Sequence, residues 1–490
     1  MEEVSSWIDI TWRYVSITVI AGYYILVLFA VIKLLLENKN PLKTHSYLLV
    51  MILIPILGLL IYVLFGQDYR RNKMFSRKAA LDQARINQYV EAQLTLASQH
   101  ELIEDDRVKE KASIINLLLS NNRSFLSNNN KVSLLMNGEN KFAELIKCLK
   151  LAKNHIHIEY YIFDDDEIGN EVAQILAEKA MAGLTVRFIY DDVGTSHLDK
   201  SFKKLFDQSG VKHYPFMPVY IPKLSRANYR DHRKIVVIDG KIGFVGGINI
   251  ADRYINRNGK ITWRDMHLKV EGEAVYSLQI VFMLNWYFVS KSGLEFSSQY
   301  FPDLGTPGNQ YMQIAASGPD SDWASIMQAF FVAISTAKSQ VLITTPYFIP
   351  NEPILEALRT AALRGVDVQI MFPYGGDNAI VQAASMSYMK EVLEAGVHVH
   401  LFSDGFNHSK TMVVDGMVSS VGTANMDFRS FDQNFEVNAW IYDKKIAQQL
   451  IDQFNEDKTH CVALRLSRWQ QRPIRRRLAE SASRLLAPLL

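Results

Sequence analysis

The sequence predicts an α/β protein of two pseudo-symmetric α/β/α sandwich halves, set behind an N-terminal two-helix transmembrane hairpin. Three observations carry that prediction. His232, Lys234 and Asp239 are spaced H-x-K-x-x-x-x-D, and His408, Lys410 and Asp415 repeat the spacing 176 positions later. Around both copies, short apolar runs alternate with helical stretches, the pattern of a sheet with helices on its faces. Near the start of the chain, two long apolar runs carry no formal charge.

Those runs come first in the chain. Tyr14 to Ile32 gives nineteen residues and Ser46 to Gln67 gives twenty-two, each enough to cross a hydrocarbon layer about 30 Å thick. Lys33 can lay its stem in lipid and reach the interface, and Pro55 and Gly58 are tolerated in spanning helices. A cleaved secretory signal is the competing reading, but Glu2, Glu3 and Asp9 stand where a basic leader belongs. The hairpin ends carry Arg13, Arg70, Arg71, Lys73, Arg77 and Lys78, against Lys33, Lys39 and Lys43 in the connection. Positive-inside counting therefore expects a multi-pass membrane protein with its body in the cytoplasm.

The remaining elements follow in order. Residues 1–69 are the hairpin and 70–125 a charged helical connector ending in the polar loop Asn121 to Asn130. The first half, 126–300, has strands at Val132 to Met136, His155 to Phe163 and Val186 to Tyr190 around a helix at Asn170 to Met181. The second half, 301–464, has strands at Val341 to Thr345, Val368 to Phe372 and Val397 to Phe402, with helices at Pro353 to Arg364 and Ala379 to Ala395. Each histidine precedes an apolar run, Ile235 to Ile238 or Thr411 to Val414, so strand alternation sets His and Lys on one face. Residues 465–490 form a basic amphipathic tail with Arg465, Arg468, Arg472, Arg475, Arg476, Arg477 and Arg484 against the single acid Glu480. It reads as an interfacial segment for anionic lipid, with a solvated tail as the alternative.

Composition narrows the function. The formal charge of +2 gives no overall attraction to polyanions, which counts against a nuclease, as do the two membrane segments. Cys148 and Cys461 are too few for a disulfide framework and lack zinc-site spacing. No metal or other cofactor is expected.

The duplication reaches beyond the histidines. Gly246, Gly247 and Asn249 follow the first motif as Gly422, Thr423 and Asn425 follow the second, with each asparagine seventeen residues after its histidine. Two histidines can open a phosphodiester, one attacking phosphorus and one protonating the departing oxygen, while lysines hold the phosphate charge. His213, His267, His398 and His400 lack this frame and read as hydrogen-bonded core residues. Arg226 and Arg230 are candidates for a lipid phosphate, with plain water contact as the rival reading.

These residues resemble the phospholipase D superfamily, whose members carry two such motifs at a site shared by two α/β halves. More narrowly the chain is similar to bacterial cardiolipin synthases, on Ile54-Pro55-Ile56-Leu57-Gly58, Asn228-Tyr229-Arg230, Trp263-Arg264-Asp265, Thr345-Pro346-Tyr347-Phe348-Ile349-Pro350 and Ala487-Pro488-Leu489-Leu490. The resemblance implies joining of two phosphatidylglycerol molecules with release of glycerol, through a phosphohistidine. It implies His232 as nucleophile and His408 as general acid and base, although pseudo-symmetry leaves the reverse order open. Lys234 and Lys410 then neutralise the phosphate, and Asn249 and Asn425 donate to it as charge grows. Asp265 and Glu436 are the supporting carboxylates by analogy, 33 and 28 residues beyond the histidines of their own halves. The acids Asp239 and Asp415, which complete the catalytic motifs, are expected to brace their strands. Another phosphatidyltransferase, a hydrolase or a non-catalytic scaffold are the competing functions, and the oligomeric state stays open.

Overall fold

A computed structural model describes residues 2–36, 41–65, 83–98, 101–196, 200–220, 228–256 and 262–489. Arg226 and the basic flank Arg70, Arg71, Lys73, Arg77 and Lys78 lie outside these residues, as does Lys39. The chain divides into two compact units, Met1–Asp68 with Pro488–Leu490, and Tyr69–Ala487.

In the first unit, helix α1 (Glu2–Leu36) contains an apolar stretch, Trp12–Leu36, of 25 residues. At 1.5 Å per residue it is about 37 Å long, enough to cross a bilayer core. The second apolar run differs from expectation. It breaks at Ile54 into α2 (Pro41–Leu53) and α3 (Pro55–Phe65), neither long enough to span. Pro55 has no N–H to continue the helical ladder, and the two helices fold against each other, with the Tyr47 and Tyr62 rings 5.8 Å apart. Gly58 allows this approach, since a side chain there would strike the Val50 backbone. Ala30 and Leu34 of α1 share one buried cluster with Tyr47, Met51 and Tyr62.

The second unit is organised by a single 15-stranded sheet. The first half supplies β1 (Ser127–Met136), β2 (His155–Tyr160), β3 (Thr185–Asp191), β4 (Lys212–Phe216), β5 (Lys234–Ile238), β6 (Ile242–Gly246) and β7 (Met266–Gly272). The second half supplies β8 (Gln310–Ser317), β9 (Gln340–Thr344), β10 (Asp367–Pro373), β11 (His398–Phe402), β12 (Thr411–Val414), β13 (Val418–Gly422) and β14 (Glu436–Tyr442), with β15 (Cys461–Leu464) at the far edge. Counted from the middle, the spatial order is β1-β7-β6-β5-β2-β3-β4 on one side and β8-β14-β13-β12-β9-β10-β11-β15 on the other. The halves thus repeat one topology strand for strand, joined where β1 runs antiparallel to β8.

Both faces of the sheet are covered, which is why β2, β5 and β14 are buried along their whole length. One buried cluster packs Ile156, Ile158 and Val236 against helices Asn137–Leu151 and Glu167–Met181. Another packs Ile235, Val237, Val413 and Val437 against helices Ala274–Ser290 and Lys444–Thr459.

Three expected boundaries move, the first being the strand expected over His155 to Phe163, which ends at Tyr160. β1 starts at Ser127, inside the stretch read as a loop, because Asn130 pairs with Gly272 and Gln310 of its neighbours. The helix expected over Ala379 to Ala395 is divided at Tyr388 into Ala379–Ser387 and Met389–Glu394.

Candidate active site

Each motif is built on a hairpin. Asp239 and Gly240 turn the chain from β5 to β6 with φ of 53° and 65°, and Asp415 and Gly416 turn β12 into β13 with 53° and 59°. Asp-Gly suits such a tight turn because both positions need positive φ. The aspartate side chains look away from the chemistry. Asp239 accepts from the backbone N–H groups of Lys153, Asn154 and His155 at 2.7–2.9 Å. Asp415 accepts from those of Ser339 and Gln340, and from Lys111 Nζ at 2.6 Å. They tie the far strand ends to the sheet.

At the other end of each hairpin the two halves touch through the backbone. The His232 N–H donates to Phe435 O (2.9 Å), and the Phe435 N–H donates to Arg230 O (2.9 Å). In the same way Phe406–Asn407 runs parallel to Trp263–Arg264, and the His408 N–H donates to Arg264 O (2.7 Å). The residue after each accepting carbonyl is a carboxylate of the opposite half. His232 Nδ1 therefore lies 3.0 Å from both Glu436 oxygens, and His408 Nδ1 lies 2.7 Å from Asp265 Oδ2. The sequence reading attaches each carboxylate to its own half's histidine; the structure crosses them.

With Nδ1 donating to a carboxylate, Nε2 of each ring is left for chemistry. Lys234 Nζ donates to His232 O and Lys410 Nζ to His408 O, each at 2.5 Å. Tyr161 meets His232 edge-on at 5.0 Å, while Tyr254 and Trp263 flank His408 at 5.8 and 5.5 Å. Gly247 lies against the Asp265 carboxyl, where a Cβ would collide with it.

The site is a crowd of buried charges. Burial lowers Lys234 to about 7 and Lys410 to about 8. It also takes His232 to about 4 despite the pull of Glu436. His408 is driven well below its ordinary value by burial, then by Lys410, Lys234, His232 and Arg253. Both imidazoles and both ammonium groups thus act electrostatically on one another. The carboxylates diverge. Burial raises Asp265 to about 7. Burial also opposes ionisation of Glu436, but His232 and Lys234 outweigh it and bring the group to about 2. One histidine thus has a permanent anion at its back, and the other has a partner that can share a proton near neutrality. An anion placed among these groups favours the charged forms of the lysines and His408.

Asn249 and Asn425 lie beside the site, each with an engaged donor. Asn249 Nδ2 donates to the Tyr254 hydroxyl at 2.6 Å and Asn425 Nδ2 to Asp427 at 3.0 Å, leaving one amide hydrogen each for a bound oxygen. Arg230 is buried and paired to Asp191 at 3.2 Å, so the lipid-phosphate role considered for it has no geometric basis. Of the four other histidines, His213 bonds Asp207 and His400 bonds Gln369. His267 is buried with no hydrogen-bond partner among the described residues, which corrects its hydrogen-bonded reading, and His398 is exposed at the start of β11, which corrects its core reading. Among the described residues no three His, Cys, Asp or Glu side chains converge to hold a metal ion. The duplicated frame extends further than the motifs, to Arg253 and Arg429, which stand 21 residues after His232 and His408.

Fold and site together define a duplicated phospholipase D-like α/β protein whose paired histidines converge from two halves. The family profile "Cardiolipin synthase, PLD-like domain" matches residues 145–273 and 330–458, and "Phospholipase_D-nuclease N-terminal" matches 25–67. A cardiolipin synthase of Listeria innocua is 41% identical over 468 residues, covering 95% of this chain and 97% of its own. Cardiolipin synthase 2 of Bacillus anthracis is 40% identical, covering 93% and 88%. The chain belongs to the cardiolipin synthase family. Among solved structures, phosphatidylserine synthase of Haemophilus influenzae aligns over 79% of this chain and all of its own, at a TM-score of 0.57 and 14% identity, a likeness of fold alone.

Proposed function

We propose that the protein is a phosphatidyltransferase that joins two phosphatidylglycerol molecules into cardiolipin and releases glycerol. The observation that carries this reading is the crossed pair of histidine–carboxylate contacts, which engages Nδ1 of each ring and leaves Nε2 for chemistry, while Lys234 and Lys410 act electrostatically on both imidazoles. Nε2 of His232 attacks the donor phosphorus, the bond to the glycerol oxygen breaks, and His408 delivers its proton to that oxygen. A hydroxyl of the second lipid then attacks phosphorus, its proton passes to His408, and the phosphorus–nitrogen bond breaks. The carboxylates support this order. Glu436, held ionised, suits an imidazole that carries a lasting positive charge as phosphohistidine, whereas Asp265 suits one that gains and loses a proton. Lys234 and Lys410 neutralise the phosphate oxygens, and the free amide hydrogens of Asn249 and Asn425 assist.

Donor and acceptor both reside in lipid, so a membrane address fits. In this reading the first unit anchors the chain through α1, the one helix among the described residues long and apolar enough to span, with a cytoplasmic body. The C-terminal helix Ile474–Leu485 has Ile474, Leu478 and Leu485 exposed beside exposed Arg475 and Arg477, a face suited to anionic lipid. Its acid Glu480 is already paired to Arg472 and Arg476. The test is incubation of the purified chain in detergent with phosphatidylglycerol alone and a chelator, followed by mass spectrometry of the lipids. Cardiolipin with free glycerol supports the proposal. Phosphatidic acid alone makes the protein a hydrolase, and a strict divalent-metal requirement removes the histidine mechanism.

A further inference from the structure

The two halves stay in register as far as Arg253 and Arg429, each four residues beyond its asparagine. Arg253 lies in a short turn, Asp252–Ile255, and Arg429 in the helix Phe428–Asp432. The Arg253 guanidinium stands over the Tyr254 and Trp263 rings at 5.6 and 5.7 Å, the same two rings that flank His408. Contact with the two rings and a hydrogen bond toward the Tyr254 hydroxyl hold the guanidinium in place while leaving its other donors available. Its side chain is 39% exposed, its contact to Asp164 is long at 3.5 Å, and its Nε is buried with no hydrogen-bond partner among the described residues. Arg429 is placed differently. It donates to Asn228 O at 3.4 Å and acts electrostatically on Tyr161, the ring that meets His232.

The proposed reaction has an asymmetry that these positions match. The donor's departing glycerol ends in free hydroxyls, but the incoming glycerol is attached at its far end to a second phosphodiester. That second phosphate stays intact, one glycerol away from the histidine that handles the alcohol proton. With His408 in that role, the cation beside it that is not one of the motif lysines is Arg253, which shares its Tyr254 and Trp263 neighbours and acts on it electrostatically. We propose that Arg253 holds the non-reacting phosphodiester of the acceptor lipid, so that its hydroxyl reaches the phosphohistidine ahead of water. The inference rests on the cardiolipin synthase reading and on His408 as acid and base.

The test compares two reactions of the same full-length enzyme in detergent micelles of phosphatidylglycerol. One is cardiolipin formation; the other is exchange of deuterated glycerol into phosphatidylglycerol, whose acceptor has no phosphate. Arg253→Gln is expected to lower the ratio of cardiolipin formation to glycerol exchange by about tenfold or more, the worth of a charged hydrogen bond. The share of phosphatidic acid rises, and Arg253→Lys restores part of the ratio. Equal loss of both reactions in Arg253→Gln overturns the proposal, as does a selective loss that appears in Arg429→Gln instead. Failure of the wild-type chain to form cardiolipin at all would strike the underlying reading, separately from Arg253.

Discussion

Replacing Glu436 by Gln keeps the shape of the side chain and one acceptor oxygen, and removes only the charge behind His232. Glu436 is fully buried and His232 nearly so, at 3.0 Å, so little water can take over. Breaking a buried ion pair by losing one partner costs about 3–5 kcal/mol. That cost falls where the imidazole becomes cationic, on the way to phosphohistidine. The retained acceptor favours the lower end, so at 1.36 kcal/mol per tenfold the first step slows by about two to three orders of magnitude. The assay is a quenched single turnover with phosphatidylglycerol labelled in an acyl chain, trapping labelled protein at alkaline pH where phosphohistidine survives. A thermal melt in the same detergent serves as the control for folding. A first-step rate within about threefold of wild type, with the melt unchanged, would refute the idea that Glu436 stabilises the imidazolium.

Three further outcomes follow from the same geometry. With a phosphatidyl p-nitrophenyl ester, whose leaving group needs no proton, His408→Ala should still give a burst of p-nitrophenolate while His232→Ala gives none; the opposite pattern exchanges the two roles. The free enzyme must keep Lys234 and Lys410 charged, and their lowered values of about 7 and 8 mean that charge is lost as pH rises; kcat/KM should fall through that interval, and a flat profile to pH 9 contradicts it. Asp415→Asn leaves the buried Lys111 without its anion and should destabilise the fold by about 3 kcal/mol in denaturant titration, whereas Asp239→Asn, which serves backbone N–H groups, should lose about 1 kcal/mol. Equal losses at the two sites would dismiss the Lys111 pairing.

Much of this architecture is legible in one sequence because the same pattern is written twice. The run before each Asp-Gly turn identifies β5 and β12, and the repeat of His, Lys and Asn identifies which polar residues belong together. What local pattern does not carry is contact between distant segments. The crossing of Asp265 to His408 depends on Phe406–Asn407 lying beside Trp263–Arg264, a pairing of two-residue segments far too short to leave a periodic signal. Nor does hydropathy distinguish a helix that tolerates Pro55 from one that folds back there, since both are equally apolar. Asn128 to Asn130 read as a loop by composition, yet their strand is fixed by neighbours from both halves. Arg253 and Arg429 were visible all along, but an arginine gains meaning only when its aromatic neighbours and their histidine are seen in space.

The exchange of carboxylates between halves makes each one the custodian of the other's reactivity. A solitary half would possess a histidine with no counter-ion and a carboxylate with nothing to steady, so it gains competence only by meeting a second copy. The two copies are not equivalent, however: a glutamate stands behind one ring and an aspartate behind the other, so one motif written twice meets two different electrostatic surroundings.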